Sequence, residues 1–534
     1  MLKVRGFTFL YWGLCIMAIL GMAGGCSPQK YKKEADTQVQ QIFDKKWRNE
    51  FGPKANYTIA DVNGSPGDIH LTKPIPLSGI MPLAHAVAVA TAANRNYQTQ
   101  KETLYEKALS LTLARHSFDP LFFGNLSGTY SSDAGDESIS SQNKFGFNQL
   151  LSSGAKVSTS IALDAIRFLG SSPQNSLGSI LSANVSQPLL RGRGAYLAKE
   201  TLTQADRNVV YQLRDFARFR KTFVVSVVSD YYRVLQALDT VKNAENNYEN
   251  IKISLEQVEM MAEAGRRAAF QVDQARQDML RARDNVVRAE QTYKQLLDKY
   301  KLQLAIPTDA NIVLDSNELS TLVVAGVSEP NYPLDEAVQT ALAYRLDLAN
   351  SHDSVEDANR RVAVAAESLQ GVLNLVGSAN VASTPDTKAA KLQFDKGAYS
   401  ASVELDLPFE RFAERNVYRQ SLINLIQAQR AYEQAIDEVK LDVRDSYRNL
   451  QESAALYVIQ QRSLELAQSR VESVSMLLQA GRAEIRDLLD AQQSLLDAQN
   501  GLTSAIVNHA IAKLNFFTNT DILQVKPDGM WQEL

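Results

Sequence analysis

At 534 residues, 45% of them hydrophobic, the chain can bury a sizeable core and is not compositionally disordered. A formal net charge of −4 at pH 7 excludes a strongly basic surface, and with it nucleic acid as a partner. The two cysteines, Cys15 and Cys26, lie near the N-terminus, so neither a disulfide framework nor a cysteine zinc cluster is available to the body.

Lys3 and Arg5 precede an apolar run over 7–22 that ends in the small residues Ala23-Gly24-Gly25 before Cys26. This is the pattern of an export signal over 1–25, since the run is short of the roughly 20 apolar residues that a retained membrane helix needs. The ending is similar to the lipobox of bacterial lipoproteins, with Ala23 where leucine is usual, which implies that Cys26 becomes the acylated first residue. Residues 26–75 are polar, with an amphipathic helix predicted over 31–47 and a turn-rich stretch at Asn63-Gly64-Ser65-Pro66-Gly67. They read as a tether between lipid and body, or alternatively as a partner-binding arm.

The body is duplicated. Leu83, Ala86, Val87 and Ala90 recur as Leu334, Ala337, Val338 and Ala341, and the Ala264-Gly265-Arg266 turn recurs as Ala480-Gly481-Arg482. Asp230-Tyr231-Tyr232-Arg233-Val234-Leu235-Gln236 echoes Asp445-Ser446-Tyr447-Arg448-Asn449-Leu450-Gln451 in the same order. The first repeat occupies 76–309, a linker 310–332, the second repeat 333–521 and a tail 522–534. Each repeat reads helix, strands, very long helix, glycine turn, returning helix. In the second, Val439, Val443, Tyr447, Leu450, Ala454, Tyr457, Leu464, Ala467, Val471, Val474 and Leu478 recur about every 3.5 residues, the period of a left-handed coiled-coil seam. A helix over 415–479 extends roughly 100 Å at 1.5 Å per residue. The absence of proline between Pro188 and Pro307, and between Pro408 and Pro527, permits such helices.

Between the helices the period changes to two. Val157, Thr159, Ile161, Leu163 and Ala165 form one apolar face opposite Lys156, Ser158, Ser160, Ala162 and Asp164. Tyr399, Ala401, Val403, Leu405 and Leu407 do the same opposite Ser400, Ser402, Glu404 and Asp406. Leu373, Leu375, Gly377, Ala379 and Val381 alternate more weakly. Strands of this length with one greasy and one wet face fit an outer-membrane barrel. The first repeat shows three strand-like stretches, near 118–131, 154–168 and 179–189, yet helices on one side of a membrane require an even number of crossings. The middle stretch is therefore assigned to an outer loop, giving two crossings per repeat and four per chain. Four strands are too few for a barrel, whose smallest members have about eight, so copies must combine.

The duplicated helix-strand-helix order, the Gln187-Pro188-Leu189-Leu190-Arg191-Gly192 run where strand becomes helix, its shorter echo Leu407-Pro408-Phe409 and the two glycine turns together resemble the TolC-like outer-membrane efflux proteins. The resemblance covers about 83–521. It implies an α+β membrane protein: a homotrimer whose twelve-stranded β-barrel, four strands from each chain, is continued by an α-helical barrel in the periplasm. It further implies a passive exit duct, lipid-anchored and barrel-inserted in the outer membrane. A periplasmic adaptor joins it to an inner-membrane pump of the resistance-nodulation-division, ABC or major-facilitator type.

Acidic gate residues are implied just after the second glycine turn, where this sequence has Asp487 and Asp490. Spaced by three, they share a helix face; the resemblance implies that in three copies they surround one constriction with like charge that favours bound cations, the alternative being a solvated helix face. The first repeat has Gln271 and Gln274 at the same offsets. The basic gate partner implied two positions after the second glycine is Ala483 here, with Arg482 beside it and Arg267 at that offset in the first repeat. Gly265 and Gly481 supply the left-handed residue that a helix reversal needs, and with Arg266 and Arg482 they form the tips at which adaptor hairpins dock in the family.

No enzyme chemistry, cofactor or metal site is read from the chain. His70, His85, His116, His352 and His509 show no ligand spacing and are taken as solvated or tunnel-lining, and no phosphate loop or Ser-His-Asp arrangement stands out. Tyr231 and Tyr232 read as seam packing. The competing reading is a lipid-anchored periplasmic coiled-coil adaptor with a soluble β domain. Such adaptors have one helical hairpin, whereas this chain has two.

Overall fold

The computed structural model describes residues 27–54, 57, 59, 79–133, 136–168, 175–327, 332–384, 388–526 and 531–533. The signal segment, Cys26 and the glycine-proline turns near residue 65 lie outside them. Helix α1 (Pro28–Lys46) buries Val39, Ile42 and Phe43, so the predicted amphipathic helix has its apolar face covered. Tyr105 donates to the Asp36 carboxylate from its hydroxyl, and Lys46 pairs with Asp206 at 2.7 Å.

A two-residue strand β1 (Ile80–Met81) leads to α2 (Leu83–Ala93) and α3 (Arg95–His116). Strands β2 (Leu121–Asp133), β3 (Asp136–Leu150), β4 (Lys156–Phe168) and β5 (Asn175–Pro188) follow. After one helical turn α4 (Ala195–Ala198) come the long helix α5 (Glu200–Glu263) and its return α6 (Ala269–Gln303). A short strand β6 (Val313–Leu314), paired in parallel with β1, and α7 (Asn317–Ala325) complete the first half. The second runs α8 (Leu334–Tyr344), α9 (Leu346–Glu367), β7 (Val372–Thr384), β8 (Lys388–Leu392), β9 (Ala398–Asp406), α10 (Phe412–Gln479) and α11 (Ile485–Asn519). The tail carries the hairpin β10 (Leu523–Val525) and β11 (Trp531–Glu533).

The duplication is visible in element lengths. Helices α2 and α8 have 11 residues each, α3 and α9 22 each, and the returns α6 and α11 35 each, while the outward helices α5 and α10 have 64 and 68. The predicted seam on α10 holds: Val439, Val443, Leu450, Ala454, Ala467 and Leu478 are buried. The compact units cut across the repeats. One holds all the long strands and comprises the described residues of Met1–Trp47, Leu104–Gln212 and Ser354–Gln429; the other comprises those of Arg48–Thr103, Leu213–Asp353 and Arg430–Leu534.

The strands require a correction. Six long strands, not four, form one antiparallel sheet in the order β2-β3-β4-β5-β7-β9, with the short β8 on the far half of β7. β4, assigned above to an outer loop, is paired along its length with β3 and with β5. The strand that restores even parity is β3, whose alternation is diluted by Ser141, Asn143 and Glu137 among Ile139, Phe145 and Phe147.

Directly opposed residues share a face. Phe122, Phe147, Thr159, Ala183, Ala379 and Tyr399 thus make one row across all six strands, and Leu121, Asn148, Ser158, Asn184, Ser378 and Ser400 make the neighbouring row on the other face. The first face carries Leu126, Ile161, Leu181, Val403 and Leu405 as well, and the second is rich in serine and asparagine.

Candidate functional site

Both helix reversals are built alike. At the first, Gly265 has φ +70°, its N–H donates to the Ala262 carbonyl at 2.9 Å, and the Arg266 N–H donates to Met261 at 2.9 Å. At the second, Gly481 has φ +72°, its N–H donates to Leu478 at 3.0 Å and the Arg482 N–H to Leu477 at 2.8 Å. This is the Schellman pattern, which satisfies the last carbonyls of a helix through a left-handed residue. A Cβ on either glycine would meet nothing within 4 Å, so the requirement is conformational rather than steric. Gly265, Arg266, Gly481 and Arg482 are all exposed.

Below the tips the two hairpins share one core. Ile251, Leu255 and Val258 of α5, Ala275 and Ala282 of α6, Leu478 of α10, and Ile485, Leu488 and Leu489 of α11 are buried together. The tips are joined by Arg267, whose Nη2 donates to the Ala483 carbonyl at 3.0 Å. Further along the same helices, Gln492 Nε2 donates to Ser254 Oγ at 3.1 Å and Thr503 Oγ1 donates to Asp239 at 2.6 Å. These polar rungs fix the register of α11 against α5.

In that register Leu488 and Ala491 are buried, and Asp487 and Asp490 are exposed. Asp487 also ends the turn: its Oδ2 accepts from the Glu484 N–H at 3.0 Å, in a capping box that closes the start of α11. The first hairpin starts α6 at Ala268 with no side-chain cap. Asp490 lies 3.9 Å from Arg486 Nε with both side chains largely exposed, a contact that screening leaves weak.

A second polar assembly was not anticipated from the sequence. Arg345, at the end of α8, donates to Asp347 at 2.7 Å and to Asp442 at 2.9 Å, and Arg218 lies 3.2 Å from Asp347. Burial alone would push the Asp347 carboxyl up, but the Arg345 hydrogen bonds and the Arg218 charge outweigh it and hold it below the ordinary carboxylate value. Lys221 pairs with Asp521 at 2.8 Å, both buried; there burial prevails over the lysine and the Asp521 carboxyl is raised. Tyr231 and Tyr232 do more than pack: the buried Tyr231 hydroxyl donates to the Met81 carbonyl at 2.9 Å and accepts from the Asp315 N–H at 3.1 Å, pinning α5 to the β1–β6 ladder.

The histidine reading is corrected at one position. His509 is neither solvated nor lining open space but 3% exposed, with Nδ1 3.1 Å from Ser453 Oγ. That hydroxyl also donates to the Leu450 carbonyl, and no carboxylate is bonded to the imidazole among the described contacts, so the pair is a packed rung of the seam. His116 and His352 are exposed. His352 has Asp353 and Glu356 as helix neighbours, but Asp353 is held by Arg214 at 2.5 Å and Glu356 by Arg207 at 3.2 Å.

A duplicated helix-strand-hairpin chain with this sheet has a match among known families. The model of the outer membrane efflux proteins matches residues 157–299 and 337–514, more than half of the chain and parts of both repeats. The chain belongs to the outer membrane efflux protein family. Outer membrane protein TolC of Escherichia coli (strain K12) is 23% identical over 312 residues, which are 55% of this chain and 60% of TolC. A solved structure of CusC superimposes with a TM-score of 0.61 at 16% identity, over 87% of this chain and 98% of CusC. The Campylobacter jejuni CmeC outer membrane channel gives 0.60 at 14% identity, over 88% of this chain and 94% of CmeC. As a member of the efflux protein family the chain is an outer-membrane protein, and its strands are the part suited to lipid.

Proposed function

We propose that three copies of this chain form the outer-membrane exit channel of a tripartite efflux or secretion system, lipid-anchored through Cys26 and passive in itself. The observation that carries this reading is the single sheet with one apolar and one serine- and asparagine-rich face: its backbone edges at β2 and β9 cannot be left open in lipid. Val417, Ile426, Leu441, Ile459 and Leu466 are large apolar side chains of α10 left exposed in one copy, which supports helix packing against neighbouring copies. Substrate and energy come from an inner-membrane pump of the resistance-nodulation-division, ABC or major-facilitator class, reached through a periplasmic adaptor docked at Gly265, Arg266, Gly481 and Arg482. Asp487 and Asp490 form the gate. A passive duct needs no shaped pocket, so selectivity lies with the pump.

Outer-membrane fractionation followed by planar-bilayer recording tests this. Trimers of heat-modifiable mobility that conduct ions are expected. A protein that washes out of the membrane once its lipid is cleaved, with no conductance, is the adaptor of the competing reading.

A further inference from the structure

The two halves differ by one large insertion, besides shifts of a few residues between the strands and the glycine turns. The step from the first half to the second is 251 residues from Leu83 to Leu334 and again from Arg95 to Leu346, yet it is 216 from Lys156 to Val372, from Gly265 to Gly481 and from Ala269 to Ile485. The whole difference therefore falls between the end of α3 and the start of β4. The stretch 121–155 has that length: it is the β2–β3 hairpin with the turn that leads into β4. Without it, Ser117-Phe118-Asp119-Pro120 would join α3 to β4 as Ser368-Leu369-Gln370-Gly371 joins α9 to β7.

The inserted hairpin is built into the wall. β2 and β3 are paired over 13 consecutive positions from Leu121↔Asn148 to Asp133↔Asp136, and β3 and β4 over as many from Ser138↔Phe168 to Leu150↔Lys156. The turn at 151–155 sits where the sheet meets the helices: Gly194 N–H donates to the Ser153 carbonyl at 3.2 Å, and a Cβ on Gly154 would lie 2.6 Å from the Gly192 carbonyl oxygen. Gln149 Nε2 reaches the Phe118 carbonyl at 3.2 Å, at the exit of α3. β2 and β3 thus span the sheet from the helix side to the far side, as β4 and β5 do. They also keep its faces, since Phe122, Tyr130 and Phe145 join the apolar side and Asn125, Ser140 and Asn148 the polar side.

We infer that this hairpin widens the pore: each copy contributes six strands rather than four, and three copies close an eighteen-stranded barrel by pairing β9 of one copy with β2 of the next. This rests on the trimeric channel proposed above. With six strands alternating in direction, β9 runs opposite to β2, so the joint between copies is antiparallel like every other ladder of the sheet. Both edge strands are exposed along almost all of their length, and both place apolar residues on the same side, Phe122 and Leu126 at one edge, Val403 and Leu405 at the other. Barrel diameter grows roughly linearly with strand number, so eighteen strands give an opening about half again as wide as twelve, in the range that leaves an aqueous channel.

Electron cryomicroscopy of the full-length protein in lipid nanodiscs counts the strands. Eighteen with β2 in the wall is the expected result, and a variant lacking 121–155 should give a twelve-stranded trimer. Twelve strands in the full chain, with the hairpin folded outside the wall, overturn the inference and leave the channel reading standing; absence of any barrel overturns both. If the deletion variant does not assemble, cysteines in the full chain decide. Phe122→Cys should be shielded from a membrane-impermeant maleimide that reaches Asn125→Cys through the lumen, and equal labelling of the two removes β2 from the wall.

Discussion

Arg267, two residues past the first glycine turn, donates its guanidinium Nη2 to the main-chain oxygen of Ala483, two residues past the second. The position that lacks a basic side chain in the second repeat is thus reached by the basic side chain of the first. One charge-assisted hydrogen bond of this kind contributes about 1.5 to 3 kcal/mol. Arg267→Ala should raise the resting conductance of reconstituted trimers, because the two tips are then free to separate. Arg267→Lys should lie between, since a lysine has no fork to reach the carbonyl. Resting conductance unchanged in both variants would show that the contact holds the turns together without holding the channel shut.

Asp487 and Asp490 are exposed beside that contact, and Asp487 also caps its helix. Neutralising both to Asn leaves shape nearly unaltered and removes the like charges that the proposed gate would gather from three copies. Multivalent cations added at the periplasmic side should lower wild-type conductance, with the effect fading at low pH as carboxylates protonate. Asp487→Asn/Asp490→Asn trimers should insert normally and ignore the cations. Block that persists in the double variant would put these carboxylates on an outer face.

The faces of the sheet predict which strand positions tolerate charge. Leu405 opposes Leu373 on the apolar face, and Ser402 opposes Val376 on the other. An arginine on the lipid face costs about 2 to 4 kcal/mol at mid-bilayer and about 1 kcal/mol or less near the interface, toward which Leu405 lies as the penultimate residue of β9, and lumen positions tolerate it. Leu405→Arg should therefore reduce trimer yield more than Ser402→Arg. Equal yields would reverse or erase the assignment of faces.

His509 makes the helical seam sensitive to acid. Burial, with the nearby Lys513 second, pushes its pKa below the ordinary histidine value. A depressed pKa means that the neutral ring belongs to the folded state, so its contribution is fully present above about pH 6.5 and is lost as pH falls through the folded-state value. Thermal unfolding of wild-type protein should shift to lower temperature on going from pH 7.5 to 5, and His509→Gln should flatten that slope. Parallel slopes would mean that other groups govern the acid response.

The helical hairpins were legible because their signals are redundant. A 3.5-residue repeat through Val439, Val443 and Leu450, proline-free runs and two glycines at matched offsets all specify the same reversal. β3 is not legible, because Glu137, Ser141 and Asn143 interrupt its apolar face; without it the strand count is odd, and parity then removes β4, the wrong strand. The spacing already held the answer, in the mismatch between the Leu83–Leu334 step and the Gly265–Gly481 step. Nothing in the sequence could place Arg267 on Ala483, or Arg345 between Asp347 and Asp442, since these contacts join residues whose proximity is set only by how the two hairpins pack.

The order of the sheet also dictates the order in which it can form. Every ladder from β2 to β5 is a hairpin between chain neighbours, whereas the ladder from β5 to β7 joins Ile180 to Ala382, 202 positions further along the chain, and must wait for the first long helical hairpin and the start of the second half. Local pairings close quickly and distant ones slowly, because the entropy of closing a long loop comes before the contacts that reward it. Newly exported chains therefore pass through a stage at which a four-stranded apolar sheet stands with both edges open in water. That stage is when aggregation competes with assembly, and a holdase that covers the β5 edge would raise the yield of finished channel without touching the finished channel itself.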